Sequence, residues 1–243
     1  MLLAVCYNNL ARYKDAVALL APIEKEKAGD EGFDYVYGTA LIGNGQAAGG
    51  TAVINRILSR GDSAEAYLLR GTLKLSAHDR DGARPDLEKA VALNPRLGGA
   101  HARLGELLLA GGESERARAA FTEELALDPD EFTSNLNLGV LAKEDQVYAD
   151  ARRFLEHALK TRPNDPGVRY QLATVDLATG NFEQARQGLE GLIKESPEFA
   201  EAHATLATVY YRLNRTADGD RERAVSRKLM DQRDAAQAVT KPR

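Results

Sequence analysis

Apolar residues recur along this chain in steps of three and four, in runs separated by Gly, Asp or Asn. Sustained two-residue alternation is absent, Val and Ile are sparse, and Ala, Leu, Glu and Arg dominate. This spacing predicts an all-helical chain of short amphipathic helices, about 12–15 residues each, with no sheet.

A longer period lies over the helical one. Pro95, Pro129, Pro163 and Pro197 stand 34 residues apart, each after a helix-like run (KAVALNP, TEELALDP, HALKTRP, GLIKESP). Proline cannot continue a helix and preorganises the start of the next one. Small residues keep the same step: Ala4, Gly38, Gly71, Gly105, Gly139, Ala173 and Ala207 form one column. Twelve residues on, Ala16, Gly50, Ala83, Ala117, Ala151, Ala185 and Gly219 form another, and one step in each column is 33 residues instead of 34. Two antiparallel helices in a hairpin pack closely only where no bulky side chain stands at the crossing. Four residues after the second column come large ones, Leu20, Ile54, Leu87, Phe121, Leu155 and Leu189, placed to fill the space beside that crossing. A fixed period of this length marks stacked repeats.

The columns resemble the tetratricopeptide repeat (TPR) family, whose helix–turn–helix unit keeps small and large residues and a proline at these offsets. The stretch YLLRGTLKLSAHDRDGARPDLEKAVALNP matches with Tyr67, Gly71, Ala83, Leu87, Ala90 and Pro95 and departs at Arg70 and Lys74. The tryptophan often found early in the unit is absent; Tyr67, His101, Asn135, Arg169 and His203 hold its place. The units around Ala4 and Gly38 lack the proline. The resemblance implies a right-handed superhelical solenoid of antiparallel hairpins in which each unit touches its neighbours. We expect one array of about seven units over residues 1–235, a polar capping helix at about 216–235, and a flexible tail at 236–243.

In this family the first helices of the hairpins line a concave groove. Carried over position by position, the groove is Tyr35, Thr39, Leu68, Thr72, Glu106, Val140, Lys143, Tyr170, Thr174, Thr208, Tyr211 and Arg212. Thr39, Thr72, Thr174 and Thr208 share one position, where a hydroxyl can bond a peptide backbone or a short β-branched residue can simply suit a crowded inner curve. Tyr35, Tyr170 and Tyr211 either offer contact area with a polar handle or pack between neighbouring helices. The Lys and Asn set with which some TPR proteins clamp terminal carboxylates is missing. A mainly neutral groove favours an extended or helical segment with apolar and aromatic side chains.

Two charges occupy positions meant for large apolar residues. Lys74 is expected to lay its stem along the core and reach water with its ammonium. Asp176 is too short for that, so it calls for a structural ion pair, either with Arg169 two helical turns earlier or with a neighbouring helix.

Composition removes most other chemistry. The net charge is −4 with both signs interleaved, which argues against nucleic acid as a partner and against the RNA-binding pentatricopeptide relatives, whose groove is basic. No apolar run approaches the ~20 residues of a membrane span. Cys6 is the one cysteine, and His78, His101, His157 and His203 show no metal-ligand spacing. GNGQAAGG at 43–50 lies between helices of a repeat, not after a strand, so it is no phosphate loop. No metal, cofactor or catalytic residue is expected, and the chain is not read as an enzyme. The expected function is a scaffold binding a peptide segment of a partner protein. The alternatives are a regulatory or substrate-recruiting segment of a larger enzyme or of a secretion or assembly complex, and a self-associating structural protein. The default compartment is the cytoplasm, or outside it if a longer natural N-terminus carries a signal.

The opening MLLAVCYNNL lacks the basic start and longer apolar core of a signal peptide. By column count Met1 falls inside the first helix of a unit, with no polar cap before it. Either the natural protein is longer at this end, or a partner copy covers Leu2 and Leu3 and makes a homo-oligomer through it; in both cases a frayed or partner-covered first helix is expected.

Overall fold

The computed structural model describes residues 1–240, with side chains through residue 236. Among the described residues there are helices and no strands. Seven antiparallel hairpins follow one another: α1 (Leu2–Asn9) with α2 (Tyr13–Leu20), α4 (Glu31–Gly43) with α5 (Ala47–Leu58), α6 (Ala64–Ser76) with α7 (Arg80–Leu93), α8 (Ala100–Ala110) with α9 (Ser114–Leu127), α10 (Phe132–Glu144) with α11 (Tyr148–Thr161), α12 (Pro166–Ala178) with α13 (Phe182–Glu195), and α14 (Ala200–Arg212) with α15 (Thr216–Thr240). A 3₁₀ turn (Ala21–Ile23) and the one-turn α3 (Glu24–Lys27) lie between the first two hairpins. The chain divides into two compact units, Met1–Asp128 with four hairpins and Pro129–Arg243 with three.

Both small columns are buried throughout, and the reason is measurable. A Cβ on Gly71 would stand 2.8 Å from the side chain of Leu87, one on Gly105 2.6 Å from the Phe121 ring, and one on Gly139 2.7 Å from Leu155. The large residues of the third column therefore sit on the glycines of the first. Leu20, Ile54, Leu87, Phe121, Leu155 and Leu189 are all fully buried, each contributing about 1.5–3 kcal/mol of apolar transfer free energy.

A third periodic feature ends the first helix of every hairpin. Ala11, Gly45, His78, Gly112, Gln146, Gly180 and Asn214 all have positive φ, between 54° and 80°. The N–H of the next residue then reaches back to a carbonyl of the last helical turn. Arg12 donates to Tyr7, Gln46 to Leu41, Asp79 to Lys74, Glu113 to Leu108, Val147 to Ala142, Asn181 to Asp176 and Arg215 to Tyr210, all at 2.8–2.9 Å. This left-handed cap satisfies carbonyls that the helix itself cannot.

The second helices end by another route. Asn94, Asp128, Arg162 and Ser196 leave the helix at φ −131° to −141° and ψ 73° to 96°. Each precedes a proline of the 34-residue column, whose ring excludes the helical conformation from the residue before it. Where that proline is missing the exit differs: α2 runs into the 3₁₀ turn and α3, and α5 passes through Ser59 at φ −69°, ψ −13°. The proline carbonyl also has a partner six residues on. His101 donates through Nε2 to the Pro95 carbonyl (3.0 Å), Asn135 through Nδ2 to that of Pro129 (2.9 Å), and His203 through Nε2 to that of Pro197 (3.0 Å). At these three loops the polar residue standing where the family often has tryptophan thus ties the loop to the helix that follows, whereas Arg169, six residues after Pro163, pairs with Glu195 instead.

Several charges sit deeper than the sequence pattern shows. Lys74 is half-buried, and its ammonium donates to Asp86 (2.8 Å) and to the Gly82 carbonyl (2.9 Å). Arg70 meets the same carboxylate through both of its forks, at 2.8 and 2.5 Å. Asp86 is 3% exposed, so the two departures of that repeat are one cation pair around a buried acid. Asp176 pairs with Arg152 of α11 (2.5 Å) and not with Arg169, which pairs with Glu195 (2.5 Å). Buried Glu124 accepts from the backbone N–H groups of Gly99 and Ala102 (2.6 and 3.2 Å). It thereby caps α8, whose own N-cap residue is a glycine with nothing to offer.

At the start, α1 forms without a side-chain cap, and Leu2 and Leu3 are 85% and 52% exposed. At the other end α15 continues helically to Thr240, through the first residues expected as a tail; residues 241–243 lie outside the described residues.

Candidate functional site

The residues expected to line a groove lie on the first helices of the hairpins. Apart from Thr208 and Arg212, which are exposed, every one of them is half-buried. They fall into two sets, one in each compact unit.

In the unit of residues 1–128, Tyr35 packs with Ile42 and Leu69 against Ile54, Ile57 and Ala66, and Leu68 packs against Ala83, Leu87 and Leu107. Burial holds the Tyr35 hydroxyl above its ordinary pKa, and the charge of Glu65 adds to the effect. Thr72 is half-buried on α6. Glu106 is engaged by Arg103 of its own helix (2.7 Å). Much of this face serves the unit's own packing.

The unit of residues 129–243 is different. Val140 and Lys143 come from α10, Tyr170 and Thr174 from α12, and Thr208, Tyr211 and Arg212 from α14. The Tyr170 ring lies 5.2 Å from that of Phe199, and its hydroxyl is 3.0 Å from Thr205 Oγ1. It also walls a cavity of about 260 Å³ with Leu177, Glu201, Ala204, Thr205, Thr208 and Met230. A second cavity of about 400 Å³ is lined by Leu177, Ala178, Gly180, Phe182, Thr208 and Arg212. Tyr211 turns to its own hairpin instead. Its ring stands where a Cβ on Gly219 would go, and its hydroxyl donates to Asp220 (2.9 Å).

The threonine column is partly committed as well. Thr39 donates to the Tyr35 carbonyl (2.8 Å), Thr174 to that of Gln171 (2.7 Å) and Thr208 to that of Ala204 (3.2 Å). Their hydroxyl protons are spent inside their own helices, leaving oxygen lone pairs as what these side chains present outward.

Lys143 is the distinctive electrostatic feature of this face. Its ammonium reaches to α12, donating to Gln171 Oε1 (2.5 Å) and lying 3.4 Å from Thr174 Oγ1. Both are neutral acceptors, and among the described residues no carboxylate pairs with it. Burial pushes its pKa below that of an ordinary lysine, against the smaller opposing charge of Glu144. Arg212, exposed at the end of α14, likewise has no acidic partner among the described residues.

The sequence pattern missed Thr205, Phe182 and Met230, which border the cavities from outside the expected groove positions, and Gln171, which accepts from Lys143. Met230 comes from α15, which outruns the length of the other second helices, and no periodic signal marks it. A separate polar notch of about 320 Å³ lies among Gly29, Glu31, Ile57, Arg60, Gly61, Asp62 and Ser63. Its Arg60 already donates to the Gly29 carbonyl (2.6 Å), and Asp62 holds Lys89 and the Tyr67 hydroxyl (2.9 and 2.8 Å). Among the described residues no cluster of His, Cys, Asp and Glu is placed to hold a metal, and no helix is long and apolar enough to cross a membrane.

Comparison with solved structures returns helical arrays of the same kind. The crystal structure of the MamA protein superposes with a TM-score of 0.60 at 18% identity, covering 71% of this chain and 94% of that one. Pseudomonas aeruginosa pilF gives 0.68 at 17% identity, covering 79% and 88%. At these identities the likeness concerns the fold. Among curated proteins, mouse DnaJ homolog subfamily C member 3 is 27% identical over 180 residues, 68% of this chain and 35% of that protein. The TPR repeat-containing thioredoxin TTL4 of Arabidopsis thaliana is 28% identical over 136 residues, 56% and 19%. The chain thus spans about a third or less of the length of these relatives. Two family models, both described as tetratricopeptide repeat, match residues 68–132, 103–166 and 143–207, together more than half of the chain. With seven hairpins in one register and glycine-on-leucine crossings at the repeat's own positions, the chain belongs to the tetratricopeptide repeat family, a family of protein-interaction modules.

Proposed function

We propose that this chain is a scaffold without chemistry of its own, and that the face formed by α10, α12 and α14 binds a peptide segment of a partner protein. One observation carries the reading. Along α12 and α14 that face keeps clefts of about 260 and 400 Å³, the smaller walled by Tyr170 and Leu177 with Thr205 and Thr208, the larger by Leu177 and Phe182 with Thr208 and Arg212, the mix of apolar and polar groups that a recognition groove uses. The corresponding tyrosine and leucine of the first unit, Tyr35 and Leu68, are packed into their own core. Tyr170→Ala tests it. The variant keeps the wild-type helical circular dichroism and retains partner protein at least tenfold less well. Equal retention by wild type and variant would overturn the reading.

A second reading, self-association through α1, draws on the exposure of Leu2 and Leu3. Sedimentation over a hundredfold concentration range tests it: a constant monomer mass removes it.

A further inference from the structure

The cavity of about 260 Å³ is walled by side chains with no hydrogen bond left to give. Tyr170, Thr205 and Thr208 carry hydroxyls, and each hydroxyl has one proton. Thr205 donates to the Glu201 carbonyl (2.9 Å) and Thr208 to that of Ala204 (3.2 Å). With the Thr205 proton spent, the 3.0 Å contact between Thr205 Oγ1 and the Tyr170 hydroxyl is one in which the tyrosine donates. Glu201 is an acceptor as well. Arg233 donates to it (2.8 Å), and that hydrogen bond, followed by one from its own backbone N–H, holds its pKa below the usual carboxylate range. Leu177, Ala204 and Met230 have no donor to offer. Among the described residues that line this cavity, every side-chain donor is thus already used, and what remains is oxygen lone pairs beside apolar walls.

Such a lining discriminates between ligands. A carboxylate or carbonyl placed there meets no side-chain donor. An ammonium or guanidinium meets the positive charges of Arg233, already on Glu201, and of Arg212 in the adjoining cavity, which shares Leu177 and Thr208 with this one. A phenyl ring fills the space but leaves the lone pairs it covers unsatisfied. The side chain that suits both walls and oxygens is an apolar ring with a donor and no acceptor, and among the amino acids that is the indole of tryptophan. The walls suit a ring. Tyr170 is held from two sides, its ring 5.2 Å from that of Phe199 and its hydroxyl on Thr205. Met230, from α15, adds a polarizable thioether of the kind that packs on aromatic edges. Of the three hydroxyl residues, Thr208 is the exposed one. We propose that this cavity takes a tryptophan side chain of the partner peptide, the indole N–H donating to Thr208 Oγ1 and the ring lying against Tyr170, Leu177 and Met230. This rests on the binding face proposed above and names the side chain that the face selects, with Met230 as a specificity-determining residue from outside the first helices.

The test starts from panning a displayed random heptapeptide library on the full chain. Fluorescence anisotropy then compares a selected, labelled peptide with a copy in which benzothienylalanine replaces tryptophan, its bicyclic ring carrying sulfur in place of the N–H. Enrichment of tryptophan, with the benzothienyl peptide bound about 5- to 10-fold more weakly, supports the proposal. Thr208→Val then closes that gap. Met230→Ala weakens both peptides alike and Met230→Leu restores them, with circular dichroism showing all three variants folded. Three results overturn the tryptophan assignment and spare the binding face, provided that binding still falls in Tyr170→Ala: enriched peptides without tryptophan, equal binding of the two rings, or a gap that persists in Thr208→Val. If nothing is enriched, or binding ignores Tyr170→Ala, both fall.

Discussion

Gly139 has no room for a side chain: a Cβ there would stand 2.7 Å from Leu155 and 3.3 Å from the Ala151 carbonyl. Leucine can shift and a helix backbone cannot, so the strain spreads through the hairpin. Gly139→Ala should destabilise the chain by about 1–3 kcal/mol, read as a lower urea midpoint with an unchanged slope. Gln146 shows the opposite case. It holds a left-handed turn at φ 63° where three other hairpins use glycine. A non-glycine residue in that region costs roughly 1–2 kcal/mol, part of which glycine gives back through its freer unfolded chain. Gln146→Gly should therefore stabilise by about 0.5–1 kcal/mol, and a lower melting temperature would contradict it. Asp86 responds to pH. Burial by itself raises its pKa, but the hydrogen bonds from Arg70 and Lys74 outweigh that and hold it below the usual carboxylate range. A depressed acid contributes stability that is present above its unfolded pKa and is lost as pH falls through the folded one. Asp86→Asn should cost stability at pH 7 and flatten the acid limb of a stability–pH curve below about pH 4.

At the scale of elements, legibility followed the physics of each contact. Sterics left columns in the sequence: a helix crossing tolerates only Gly or Ala and needs a large neighbour, so the hairpins and their order were readable from residues such as Gly105 and Phe121. The left-handed turns left almost no signal, because the backbone accepts Ala11, His78, Gln146 and Asn214 there beside three glycines. Ion pairs between helices left none. Asp176 was readable as an acid in need of a partner, yet Arg152, 24 residues away, was not distinguishable from Arg169. The binding face was legible as positions, and its state was not: whether a tyrosine walls a cleft, as Tyr170 does, or lies over its own hairpin, as Tyr211 does, depends on glycines and second helices elsewhere in the unit. Tyr210 links three elements in the same way. Its hydroxyl donates to Glu190 of α13 (2.6 Å), and Arg215, at the turn into α15, lies 4.5 Å over its ring. Burial first, then the hydrogen bond to Glu190, pushes its pKa up to about 12. A raised tyrosine stabilises fully below the unfolded value near 10, and that stability drains away as pH rises toward 12. Tyr210→Phe should cost about 1 kcal/mol at pH 8 and lose less than wild type between pH 10 and 12, as urea midpoints at the two ends of that range would show.

In a repeat chain, stability is close to a sum of hairpins and their nearest-neighbour interfaces, so it varies along the molecule. Within residues 1–128 the contrast is sharp. Helix α1 is eight residues long, has no side-chain cap, and buries Ala4 alone while Leu2 and Leu3 stand in solvent. Eight residues are too few to hold a helix by propensity, so α1 depends on α2 and on contacts with α4 such as the bond from Asn8 Nδ2 to the Val36 carbonyl (2.9 Å). Helices α6 and α7, by contrast, share Leu87, Gly71 and Ala83 at their crossing and the Arg70–Asp86–Lys74 cluster beside it. Opening α1 exposes little apolar surface, and opening the α6–α7 hairpin exposes a core and breaks a buried charge cluster. Amide hydrogen exchange followed by mass spectrometry should therefore show peptides from α1 exchanging at least about a hundredfold faster than those from α6 and α7, a gap of some 3 kcal/mol in opening free energy. Uniform protection across the four hairpins of this unit would mean that it opens only as a whole, and the additive picture would fail for it.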